Sequence, residues 1–254
     1  MLAMRRPAHE GTAASAVQRR RSRARETFFH SRSAIIPCVA ALLFGLPTLH
    51  AQEKPPAPEI TFTLDFPNSE PSHYFMTVSL DGHASYESSG KLTPDSEPTE
   101  PFHLQFTATP QTTTHIFDLA RQAHNFQGEI DSKNRKIAFT GQKTLTYADG
   151  KANNRATFNY SPLPAVAELT QLFQNISNTL EFGHRLEYYH HYQKLALDDE
   201  LKRMEDFSKS GNLPELAAIA PILRQIINDH SVMNVVRSRA QRLLIEAGVP
   251  DSKP

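Results

Sequence analysis

The sequence predicts an α+β protein, in which a mostly antiparallel sheet with one helix packed on it is followed by a C-terminal antiparallel helical segment. Three observations predict it. Apolar residues alternate with period two in short runs between Ile60 and Tyr160. One helical period interrupts them, at Ile116, Leu119, Ala120 and Ala123. After Pro162 and Pro164 the apolar spacing is helical through Leu244.

Taken in order, Ile60, Phe62, Leu64 and Phe66 fall on one side of a first strand, with Thr61, Thr63 and Asp65 on the other. Tyr74–Leu80 and His83–Ser88 form the next two, joined at Asp81-Gly82, where glycine tolerates the positive φ of a hairpin turn. The polar, proline-rich stretch 93–101 predicts a loop, and Phe102, Leu104 and Phe106 resume the alternation. Thr112–Thr114 offer N-caps for the single helix, which should stop near Asn125–Gly128. Strands return at Lys136–Thr140, at Lys143–Tyr147 and, after Asp149-Gly150, at Ala156, Phe158 and Tyr160, for six or seven strands in all.

Pro164 suits the first turn of a helix whose apolar face runs through Val166, Leu169, Leu172 or Phe173, Ile176 and Leu180. Gly183 predicts a break or kink there. A second helix follows over Leu186–Phe207, a third from Pro214 with a bend at Pro221, and a fourth from Val232 to a stop at Gly248. Short connections imply antiparallel packing. The domain plan is therefore a leader over 1–51, a proline-rich linker over 52–58, a sheet domain over 59–161, a helical domain over 162–248 and a tail over 249–254.

The leader carries the compartment. Residues 34–49 hold no charge, arginines precede them, and Ala51 is a small residue suited to a signal-peptidase cut before Gln52. This predicts a periplasmic or secreted protein with no stable membrane span after cleavage; an uncleaved anchor in the envelope is the alternative. The chain has 27 basic and 27 acidic residues, but eight arginines and two acids lie in 1–51, leaving 19 against 25 in the remainder, or about −6. A net acidic body without an extended basic surface argues against nucleic acid as a partner. The one cysteine, Cys38, lies inside the leader, so disulfides, thiolate ligands and a cysteine nucleophile are excluded from the processed form.

The densest polar cluster spans His184 to Tyr192. His184, Glu187 and His191 share one helical face, and Glu187 with His190 makes the Glu-x-x-His spacing of carboxylate-bridged metal sites. His184, Glu187, His190 and His191 are thus candidate metal ligands, and a metal-dependent hydrolase is one reading. Such a site also needs a second pair from another helix and two further glutamates, and the plainer reading is a helix of packed tyrosines and solvated or hydrogen-bonded histidines. Asp198-Asp199-Glu200 at a helix start reads as a solvated face that complements the helix dipole. Arg237, Arg239 and Arg242 read as ordinary helix surface. No Gly-x-Ser-x-Gly elbow and no glycine-rich phosphate loop occurs, and no cofactor is expected. The chain reads as a non-enzymatic module for an unknown protein or small-molecule partner.

The text LALDDELKRMEDFSKSGNLPELAAIAPILRQIINDHSVMNVVRSRAQRLL, residues 195–244, resembles the tail of uncharacterised secreted proteins of environmental bacteria. The resemblance implies a bacterial exported protein and no particular activity.

Overall fold

A computed structural model describes residues 57–249, apart from 68, 93–95 and 97. The expected leader with Cys38, nearly all of the expected linker and the tail beyond 249 lie outside the described residues.

Six strands form one antiparallel sheet: β1 (Glu59–Asp65), β2 (His73–Ser79), β3 (His83–Lys91), β4 (Pro98–Thr107), β5 (Gln142–Ala148) and β6 (Asn153–Phe158), in the order β4-β3-β2-β1-β5-β6. The first four make a meander. The chain then leaves the β4 edge, forms α1 (Pro110–Gln122) and returns on the open side of β1. Register aligns the apolar alternation of every strand: Leu104, Tyr86, Met76, Phe62, Leu145 and Ala156 stand side by side across the sheet. A slip of one residue would turn all of them to the opposite face. That face carries Thr61, Thr77 and Thr146, with the Thr61 and Thr77 hydroxyls bonded at 3.0 Å.

The sheet carries α1 and, in addition, the long α2 (Pro164–Tyr192), which lies beside α1. Phe173 of α2 stacks on Phe62 of β1 with ring centroids 5.2 Å apart, both rings fully buried. Beyond α2 come α3 (Leu197–Lys209), α4 (Ala220–Asn228) and α5 (Asn234–Glu246). The buried side chains of residues 59–161 and 162–248 join in a single cluster.

Several elements depart from expectation, each for a local reason. Lys136–Thr140 is not a strand. Its backbone is satisfied by asparagine side chains: Lys136 N–H donates to Asn134, Thr140 N–H donates to Asn159 at 2.9 Å, and the Ala138 carbonyl accepts from Asn159 at 3.0 Å. β4 begins at Pro98, inside the expected loop, because an irregularity between Ser88 and Gly90 lets β3 continue pairing. α1 starts earlier than expected, with Thr109 as its cap and Pro110 in the first turn. α2 runs straight through Gly183 and ends at Gln193, so Leu186–Tyr192 belong to it rather than to a second helix. A Cβ on Gly183 would stand 2.5 Å from Ile219 Cγ2, so glycine there permits a close approach instead of breaking the helix. In place of a bend at Pro221, a short 3-10 turn over Leu216–Ile219 precedes α4, and the proline lies in the first turn of α4.

Candidate functional site

The second half of α2 brings the polar cluster of the sequence against three different surroundings. Its first half is apolar on one face and sits on the sheet. One turn later that same face presents Ser177 and Glu181, both buried. Tyr86 of β3 donates to Glu181 Oε1 at 2.8 Å, and Ser88 donates to the same oxygen at 2.6 Å. With its one proton committed, Tyr86 accepts from the Ser177 hydroxyl at 2.8 Å. Burial by itself would raise the Glu181 pKa; the neighbouring His184 ring, Ser88 and Tyr86 outweigh it and hold the carboxyl below the usual range. Burial drives the Tyr86 phenol strongly the other way, with the Glu181 charge adding to it.

His184 is wedged between this carboxylate and the edge of the sheet. Its Nδ1 lies 3.7 Å from Glu181 Oε2, and its ring stacks on Phe102 of β4 at 4.1 Å. Glu187, exposed, borders a small groove of about 120 Å³ between β4, α2 and the start of α4. Burial on the groove side raises its pKa, and the charge of His184 opposes this. His190 turns away to the α4–α5 connection, where its Nε2 lies 2.9 Å from Asp229. Lys194 donates to the same Asp229 oxygen at 2.6 Å, and Ser231 donates to the other through N–H and hydroxyl. Lys194 first, then Ser231, hold the Asp229 carboxyl far below its ordinary pKa. His191 is exposed, edge-on to the Tyr192 ring.

The four candidate ligands are thus dispersed: His184 and Glu187 flank one groove, while His190 and His191 leave it. Among the described residues no three His, Cys, Asp or Glu side chains are grouped to hold a metal ion.

Two surface readings are corrected. Glu200 is buried at 3% exposure, held by Arg185 at 2.5 Å and Arg203 at 3.1 Å, so Asp198-Asp199-Glu200 is not wholly a solvated face. Arg239 binds Asp198 and Glu205 and ties α5 to α3, and Arg242 joins it on Glu205. Arg237 bonds instead to Asn234 and His230. The three arginines therefore differ in role, although the sequence presents them alike.

A mainly apolar groove with room for a ligand lies elsewhere, at the end of the sheet beneath α1. It holds about 340 Å³ between Pro58, Leu80 and Tyr147 on the sheet side and Phe117 on the helix side, with Thr114 and an Asp118–Arg121 ion pair on the helix as well. Its walls are mainly apolar. Leu80 follows β2 directly and is half exposed, an apolar residue left over once the alternation of the strand has ended. That leftover leucine beside Asp81-Gly82 was the one sequence signal for this groove. The rest needed the fold, since its residues come from four separate stretches of chain. Among the described residues no helix is long and apolar enough to cross a membrane. No known protein family matches the sequence, and no curated protein is significantly similar to it.

Proposed function

We propose that this chain is an exported, non-enzymatic binding module that holds a small, largely apolar ligand in the groove between α1 and the end of the sheet. The observation that carries the reading is the groove itself. Its volume of about 340 Å³ falls within the ~300–1,000 Å³ usual for small-molecule sites, and it combines apolar walls with a few polar groups able to orient a ligand. A half-exposed leucine facing such a space is a surface that a ligand would remove from water. The absence of nucleophile and phosphate-loop motifs from the sequence and the dispersal of the His184–His191 cluster support binding over catalysis. Export rests on the uncharged stretch ahead of Ala51.

The test uses 1-anilinonaphthalene-8-sulfonate, an apolar anion whose fluorescence rises in dry surroundings. The folded protein should bind it saturably at one site. Leu80→Glu should weaken that binding at least tenfold, while Tyr192→Ala, at an exposed aromatic on the far end of α2, leaves it unchanged. No saturable signal, or equal binding by Leu80→Glu, would overturn the proposal.

A further inference from the structure

Lys143 is a buried cation that the ligand groove does not use. It stands on β5 in register with Leu64 and Phe158, an inward position at the opposite end of the sheet, and is 5% exposed. Its Nζ donates to the carbonyls of Thr140 (3.0 Å), Gly141 (3.2 Å) and Asn159 (3.0 Å) and lies 3.1 Å from the Thr140 hydroxyl. No carboxylate among the described residues lies within ion-pair distance of it.

We infer that the carbonyls of Thr140, Gly141 and Asn159, with the Thr140 hydroxyl, form an ammonium-binding cage that the chain fills with its own lysine. The cage presents oxygen acceptors, and a primary ammonium brings three donors and no acceptor. The spacings of 3.0–3.2 Å are those of N–H···O bonds. They are well beyond the ~2.0–2.6 Å at which magnesium or calcium binds oxygen. Burial works against the charge and lowers the pKa of Lys143.

The local backbone explains why the cage exists. Gly141 has φ +96, and a Cβ there would stand 2.8 Å from Leu64 and Phe66, so only glycine lets the chain turn at this point. The preceding stretch, 134–140, has no strand partner and depends on Asn134 and Asn159 for its bonds. Lys143 ties the end of this stretch, Thr140-Gly141, to Asn159 just beyond β6 through one charged group. A neighbouring cavity of about 170 Å³, bordered by Thr170, Gln171 and Gln174 of α2, reaches Lys143 and gives a small amine a way in.

Chemical rescue tests the inference. Lys143→Ala should lower the melting temperature by ~5–10 °C, from the loss of a charged, buried hydrogen-bonding group. Methylammonium chloride should restore a measurable part of that loss, and tetramethylammonium chloride at the same ionic strength should not, because it has no N–H to donate. Equal responses to the two salts would overturn the cage. Should Lys143→Ala fail to fold, nitrogen-detected NMR of the native protein decides the question. The Lys143 ammonium protons should exchange with water more slowly than those of exposed Lys133 and Lys151, and equally fast exchange would refute the inference.

Discussion

The sheet end and the helical end of the core bury carboxylates by different means. At the sheet, Glu181 is surrounded by the hydroxyls of Tyr86 and Ser88, with the His184 ring 3.7 Å away. At the helical end, Glu200 sits between the guanidiniums of Arg185 and Arg203, and both of these also lie over the Phe182 ring. Asp229, with His190 and Lys194, belongs to the same style. The contrast follows from the neighbours available. At Glu181 the strand face packed under the helix supplies hydroxyl groups, from Tyr86 and Ser88. Helices packed on one another at the surface leave room for arginine stems to lie on apolar surface while the charged heads reach carboxylates.

The largest expected effect is at the helical end. Glu200→Gln leaves Arg185, 15% exposed, without its carboxylate and should cost about 2–4 kcal/mol in urea unfolding, somewhat below the loss for a fully buried broken pair. A cost under ~0.5 kcal/mol would mean that the two ends are held alike by packing alone.

Next comes Glu181→Gln, expected to cost about 1–3 kcal/mol through weakened hydrogen bonds to Tyr86 and Ser88. The folded pKa of Glu181 lies below the unfolded value. Its carboxylate therefore stabilises the fold above the ordinary glutamate range, and that contribution is lost as pH falls through the folded pKa. Urea midpoints of wild type and variant should converge on acidification. A gap that stays constant down to pH 3 would show that the charge of Glu181 is not what matters.

The smallest effect is at Asp229. Its depressed pKa gives the same sign, with stabilisation present above the ordinary aspartate range and fading only in stronger acid. Asp229→Asn should lower the melting temperature slightly at pH 7, and 0.5 M sodium chloride should shrink the difference because the site borders solvent. Salt should leave the Glu181→Gln difference unchanged. If both differences responded to salt equally, the distinction between the two ends would fail.

Much of the sheet was legible in the sequence. The alternations beginning at Ile60, Tyr74 and Phe102 became β1, β2 and β4, and Asp81-Gly82 turned where glycine was needed, with φ +89 at Gly82. Lys136–Thr140 shows the limit of such reading. Its pattern suited a strand, but Asn159, 19 residues beyond Thr140, took the backbone bonds that a neighbouring strand would have used. Gly183 shows another limit, since a glycine inside a helix reads as a break until Ile219, 36 residues later, is found against it. The polar cluster of α2 was visible as a cluster, but its division among Glu181, Asp229 and solvent was not.

By itself, the sequence determined the periodicities, the turn glycines, the order of the elements and the faces that had to be buried, because these depend on residues within a few positions of one another. Tertiary structure alone decided which polar groups share an environment. Glu181 meets Ser88 across 93 residues, Lys143 is enclosed by Thr140 and Asn159, and the groove beneath α1 draws on four stretches of chain. A hydrogen bond or a groove wall depends on distance in space, and a one-dimensional pattern records distance only along the chain.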